Sequence, residues 1–171
     1  MKIELENVKP REIETRSFEI ITQELGERKL PADQELIIKR CIHTSADFDY
    51  ADNLCFSENA VEKAMDAIKG GACIVTDTQM AKAGINKRAL ARYGGEVFCF
   101  MSDEGVAAQA KENGTTRATA SMDKAASLKR PLIFAIGNAP TALVRLYELI
   151  EEGKIRPELI IGVPVGFVNV V

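Results

Sequence analysis

Apolar residues recur along this chain in two alternating patterns, and the alternation predicts the fold. Over residues 14–26, ETRSFEIITQELG, Phe18, Ile21 and Leu25 stand three and four apart and Gly26 supplies a stop, so the segment reads as a helix. In QELIIKRCIH, residues 34–43, Ile37/Cys41 and Ile38/Ile42 repeat at helical spacing. Asp33 is the expected cap, and His43 falls at or just past the helix end. Ser57 is the expected cap of the next helix, whose stripe is Val61, Ala64, Met65 and Ile68 and whose stop is Gly70–Gly71.

Four short runs then break this period by being apolar throughout: ACIVTD (72–77), EVFCFM (96–101), PLIFAIGN (131–138) and ELIIGVP (158–164). GFVNVV (166–171) is a candidate fifth. Between them lie helical segments: KRALARY (87–93) with Asn86 as cap and Gly94 as stop, DEGVAAQAKEN (103–113) stopped at Gly114, TRATASMDKAASL (116–128), and PTALVRLYELIEEG (140–153) with Pro140 in its first turn. In the third of these, Met122, Ala125 and Ala126 are expected to face inward. Strands apolar on both faces, alternating with helices, predict an α/β fold: a doubly wound, mostly parallel sheet with helices on both faces, in three layers. With no repeat, low-complexity tract or linker, residues 1–171 are expected to form one domain.

Composition narrows the function classes. Hydrophobic residues make up 46% and charged residues 27% of 171, an ordinary globular balance. A net charge of −3 argues against a general nucleic-acid binder, yet leaves room for a local basic pocket. No apolar run reaches the roughly 18 residues a membrane span needs, and the charged start MKIELENVKPREIE lacks a signal-peptide core. A cytoplasmic location is expected. Cys41, Cys55, Cys73 and Cys99 form no C-x-x-C pair, so neither a disulfide framework nor a zinc site is expected; Cys41 with His43 alone makes a poor metal site.

Five segments could carry chemistry. His43 is the only histidine, set in RCIHTSADFDY; a lone histidine is more often structural, but this one ends a helix and is followed by Thr44, Ser45 and Asp47, which could orient its ring or hold its proton. In IFAIGNAPTAL a strand runs into Gly137–Asn138 and a helix. That junction lies at the carboxyl end of a parallel strand, where ligands bind and a helix N-terminus attracts anions, though it is equally a plain βα turn. In NGTTRATA, Arg117 could grip a carboxylate beside Thr115 and Thr116, or be a solvated cap residue. Arg16 and Ser17 of ETRSFEII could be an ordinary outer helix face. In TDTQMAKAGIN, the expected loop after the first strand, Asp77, Thr78, Gly84 and Asn86 would share the sheet edge of Gly137 and Asn138, or serve as turn residues. There is neither a dinucleotide fingerprint nor a Walker loop.

Together these pieces resemble the precorrin-8X methylmutase family, which includes the cobalt-precorrin-8 methylmutases. The matching segments are RSFEII (16–21), RCIHTSADFDY (40–50), TDTQMAKAGI (76–85), TRATA (116–120), AIGNAPTAL (135–143) and GVPVGFVNVV (162–171), in the family's order and nearly end to end. The resemblance implies migration of a methyl group from C-11 to C-12 of the macrocycle, giving hydrogenobyrinic or cobyrinic acid, with His43 as proton donor. It implies a corrinoid substrate rich in carboxylates, for which Arg16, Ser17, Asn86, Arg117, Gly137 and Asn138 are the expected contacts. It implies no cofactor and no protein-bound metal, any cobalt belonging to the substrate. It also implies a homodimer with no nucleic-acid or membrane partner. Family members continue past VGFV with a Ser-Lys-Glu-like stretch and a Gly-rich basic segment, so the chain is expected to lack its C-terminal tail. Two rivals remain: an α/β transferase or hydrolase using Ser45 or Ser17, for which the G-x-S-x-G elbow is missing, and a non-catalytic corrin carrier.

Overall fold

Helices α1 (Ile13–Leu25) and α2 (Glu35–Ser45) pack against each other through the apolar stripes read above, in a computed structural model that describes residues 8–166. Ile21, Ile38 and Ile42 are buried between them, with Phe18, Leu25, Leu30, Tyr50 and Phe56 packed around. Gly26 ends α1 in the left-handed region, at φ 57°, where a side chain would be strained. Asp33 does not cap α2. The N–H groups of Gln34 and Glu35 both bond the carbonyl of Pro31, so Asp33 sits inside a turn and Gln34 takes the capping position. A short helix not predicted from the pattern, α3 (Tyr50–Asn53), follows an Asx turn in which Asp47 accepts from the N–H of Asp49. These elements form one compact unit, which ends at Val61; a second begins at Glu62. Helix α4 (Ala60–Lys69) starts after Asn59, at φ 56°, so Ser57 lies two residues ahead of the capping position.

The second unit contains a four-stranded parallel sheet in the order β2-β1-β3-β4: β1 (Cys73–Thr76), β2 (Val97–Phe98), β3 (Leu132–Ile136) and β4 (Leu159–Gly162). Alternate residues of the central strands, Cys73 and Val75 with Leu132, Phe134 and Ile136, point to one face. There they meet Ala118, Met122 and Ala125 of α8 (Arg117–Ala126) and Ala142, Leu146 and Leu149 of α9 (Pro140–Glu151). Helices α5 (Gln79–Gly84) and α6 (Lys87–Ala91) join β1 to β2, in the opposite direction across the sheet; right-handed crossovers place them on the other face. The α/β, doubly wound expectation therefore holds.

The second strand is much shorter than EVFCFM suggested. After Phe98 the chain leaves the ladder and turns, with the N–H of Asp103 bonding the carbonyl of Phe100. Phe100 itself packs against Val106 and Ala110 of α7 (Glu104–Glu112) and Ala120 of α8. The TDTQMAKAGIN segment, expected as a loop, contains α5, because the Thr78 hydroxyl accepts from the N–H of Ala81 and caps a helix there. The candidate fifth strand, residues 166–171, lies outside the described residues apart from Gly166.

Candidate active site

In the first unit the chemistry gathers on the α1–α2 pair. His43 occupies the last turn of α2, exposed, and its Nδ1 lies 2.7 Å from Ser17 Oγ on α1. The imidazole meets the Phe18 ring edge-on, with centroids 5.9 Å apart and planes at 71°. The Arg40 guanidinium covers that same phenyl ring at 5.6 Å and pairs with Glu14 of α1. The ring of His43 is thus fixed at one nitrogen by a hydroxyl and along one edge by an aromatic contact, which leaves Nε2 for a ligand. Arg16, one residue before Ser17, pairs with Glu19 at 3.2 Å.

The residues following His43 do not orient it. Thr44 Oγ1 donates to the carbonyl of Arg40 and Ser45 Oγ to that of Cys41, each at 2.8 Å, while Asp47 starts the turn into α3. These hydroxyls bond back to carbonyls four residues earlier on the same helix, the nearest acceptors available to them. Ser45 and His43 therefore do not form a nucleophile pair, and Ser17 takes the orienting place. Cys41 is half-buried, and burial pushes its thiol up from the ordinary range, which disfavours the thiolate a metal would need. Among the described residues, no three His, Cys, Asp or Glu side chains converge as for a metal ion.

In the second unit the chain leaves β1 toward β2 on one side, and β3 toward β4 on the other. The crevice at the carboxyl ends of β1 and β3 is therefore the switch point of the sheet. Asp77, directly after β1, is only 1% exposed. Its Oδ1 accepts from the N–H of Gly137 at 3.0 Å, and its Oδ2 from those of Asn138 and Ala139 at 2.8 and 2.7 Å. Three successive N–H groups at the start of α9 make a concave anion seat, reinforced by the helix dipole. Burying a lone carboxylate costs several kcal/mol, and three charge-assisted bonds of roughly 1.5–3 kcal/mol each offset it. The anion position that the sequence suggested for a ligand is thus filled by the protein's own carboxylate. Gly137 and Asn138 lie exposed at this edge with their N–H groups committed, leaving the Asn138 side chain and the open space above Gly137 for a ligand. Sequence reasoning placed Asp77 on the right edge but missed this pairing; the one available signal was an acidic residue closing a wholly apolar strand.

Beside the crevice, Thr116 caps α8. Its hydroxyl accepts from the N–H of Thr119 at 3.1 Å and lies 3.0 Å from Thr141 Oγ1 of α9. Arg117 follows on the first turn, exposed, with no ion-pair partner among the described residues. Asn86 caps α6 as expected, its Oδ1 accepting from the N–H of Ala89 at 3.0 Å, which leaves its amide NH₂ to solvent or ligand. A groove of the second unit lies elsewhere. Lys63, Asp66, Gly70, Pro131 and Glu158 line it at the amino ends of the strands, the wrong end for a ligand in an open α/β sheet.

Comparison with known proteins identifies the family of the chain. A family model described as precorrin-8X methylmutase matches residues 12–171. The cobalt-precorrin-8 methylmutase of Priestia megaterium is 46% identical over 162 residues, 95% of this chain and 72% of that protein. The precorrin-8X methylmutase of Pseudomonas aeruginosa is 35% identical over 154 residues, 90% of this chain and 74% of that protein. The solved precorrin-8X methyl mutase from Thermus thermophilus superposes with a TM-score of 0.84 at 41% identity, covering 94% of this chain and 77% of that one. Since the family model spans all but the first residues and identity to these relatives is sustained over most of the chain, this chain belongs to the precorrin-8X methylmutase family, the methyl-shifting isomerases of cobalamin biosynthesis.

Proposed function

We propose that this chain moves a methyl group from C-11 to C-12 of precorrin-8X or its cobalt form, giving hydrogenobyrinic or cobyrinic acid, with His43 as proton donor. The observation that carries this reading is the 2.7 Å contact between Ser17 Oγ and His43 Nδ1. In the acid form both ring nitrogens bear hydrogen. Nδ1–H donates to Ser17 Oγ, and Nε2–H is the proton offered to the macrocycle. Once Nε2 has given it up, the Ser17 hydroxyl still occupies the Nδ1 side of the ring, so Nε2 is the nitrogen left open to take the proton back. An isomerisation requires that return, because substrate and product hold the same atoms. The protonated, conjugated ring is the electron-poor system to which a methyl group migrates.

Arg117, the side chains of Asn86 and Asn138, and Arg16 are the proposed carboxylate contacts, and Gly137 leaves room for the ring to approach. No cofactor is proposed; cobalt, where present, arrives in the substrate. A homodimer is proposed on the apolar surface of the β4 edge, where Ile161, Val163 and Val165 are about half exposed or more. A cytoplasmic location is proposed from the family's biosynthetic role; among the described residues no helix is long and apolar enough to cross a membrane.

The test is the absorption spectrum after mixing protein with precorrin-8X, for the wild type and for His43→Ala. The expected result is conversion by the wild type and a loss of about 10²–10⁴-fold in the variant, with product binding retained. Wild-type turnover in the variant removes His43 from the mechanism. Binding without conversion by the wild type makes the chain a corrin carrier instead.

A further inference from the structure

Asp77 is a buried titratable group that the proton transfer does not use. It is closed off from solvent, it follows the central strand β1, and every side-chain hydrogen bond it makes among the described residues crosses to one turn, residues 137–139, about sixty positions away. A carboxylate so placed does two things. It fills the anion seat at the N-terminus of α9, so no substrate carboxylate can enter there. It also clamps the backbone on both sides of Asn138, whose side chain is exposed at the carboxyl ends of β1 and β3. On an unsupported βα turn the backbone carrying a surface asparagine moves with the loop; where its own N–H and both flanking N–H groups bond a buried carboxylate, the Cα that carries the side chain is held in one place.

We propose that Asp77 is a positioning residue for substrate binding: by holding Gly137, Asn138 and Ala139 at their N–H groups it presents the Asn138 side chain to the corrinoid. This rests on the functional reading above, and on Asn138 being among the substrate contacts. Asp77 touches no substrate, so its effect must pass through Asn138, and that is what separates positioning from general support of the fold.

The experiment is a double-mutant cycle on binding of hydrogenobyrinic acid, followed by its absorption change, with thermal melting of each variant recorded alongside. Asp77→Asn keeps the volume but removes the charge and turns an NH₂ toward backbone N–H groups that need an acceptor. Asn138→Ala removes the presented side chain. Each single change is expected to raise the product Kd about tenfold, the worth of one lost hydrogen bond. Asp77→Asn made in the Asn138→Ala background is expected to raise it less than about twofold. Asp77→Asn that folds and binds like the wild type, or two effects that multiply, overturns the proposal. Where Asp77→Asn yields no folded protein, Asp77→Glu, which keeps the charge but displaces the carboxylate from the turn, takes its place in the cycle and is read by the same two outcomes. Failure of the wild type itself to bind hydrogenobyrinic acid sinks the functional reading, whereas wild-type binding with an indifferent Asp77→Asn sinks this proposal alone.

Discussion

Ser17 Oγ and His43 Nδ1, 26 positions apart in the chain, meet at 2.7 Å because α1 and α2 pack through Ile21, Ile38 and Ile42. The hydroxyl sets which ring nitrogen faces outward. Ser17→Ala removes that choice while keeping the imidazole. Turnover is expected to fall about tenfold, the worth of one net hydrogen bond expressed in the transition state, while Kd for the product changes little. Single-turnover absorption measurements check this. An unchanged rate with weaker product binding instead makes Ser17 a plain substrate contact.

The parts of the fold that were legible in the sequence are those set by local chemistry. β1 and β3 read as strands because both of their faces are covered, so nearly every residue from Cys73 to Thr76 and from Leu132 to Ile136 is buried. The stops were legible at Gly26, Gly94 and Gly114, all at positive φ, where glycine alone is unstrained. What failed depended on competition or on distance. Thr44 and Ser45 look like partners for His43 in sequence, but carbonyls four residues back are closer. Phe100 reads as strand, yet a pocket between α7 and α8 takes it out of the ladder. Asp77 and residues 137–139 are joined by topology alone; no local pattern records that β1 and β3 lie side by side.

Asp103 caps α7 through the N–H of Val106 and pairs with Lys124 of α8, whose ammonium also lies 5.3 Å from the centre of the Phe100 ring. The Lys124 hydrogen bond first, then the Val106 N–H, hold this carboxyl below the usual range. A depressed folded-state value means stability that is present above the unfolded value, about 3.9, and lost as pH falls through the folded one. Asp103→Asn keeps the capping oxygen, since asparagine caps helices as well as aspartate, and removes only the charge. Its melting temperature is expected to lie below that of the wild type at pH 7, the gap narrowing once pH drops under about 4. A gap independent of pH assigns the loss to something other than the ion pair.

Two glycines separate close approach from mere flexibility. A Cβ on Gly95 would stand 2.5 Å from the Ala72 carbonyl and 2.9 Å from Leu90, which locks α6 onto the start of β1. Gly95→Ala forces backbone to move and is expected to cost about 1–3 kcal/mol. Gly84 closes α5 with nothing within 4 Å of its missing Cβ. Gly84→Ala is expected to stabilise by about 0.5–1 kcal/mol, through lower backbone entropy of the unfolded chain. Urea titration of both variants reads the two signs, and equal effects would contradict the packing described around Gly95.

Arg117 tests whether a residue idle in the protein is active toward ligand. It stands exposed on the first turn of α8, where its charge faces the positive end of the helix dipole and no carboxylate among the described residues answers it. Nothing in folding rewards a cation there, so Arg117→Ala is expected to leave stability within about 0.5 kcal/mol. If the guanidinium grips a carboxylate of the macrocycle, the same change raises the product Kd about tenfold or more, the worth of a hydrogen bond to a charged group. Arg117→Lys restores only part of that, because an ammonium supplies the charge without the planar fork. The loss must also shrink as salt is raised from low to moderate concentration, since an exposed ion pair is screened over about 10 Å at 0.1 M. Product binding measured across a salt series therefore decides between the two readings. A Kd that depends on both residue 117 and salt makes Arg117 a substrate anchor, and a Kd indifferent to both leaves it a solvated residue beside the Thr116 cap.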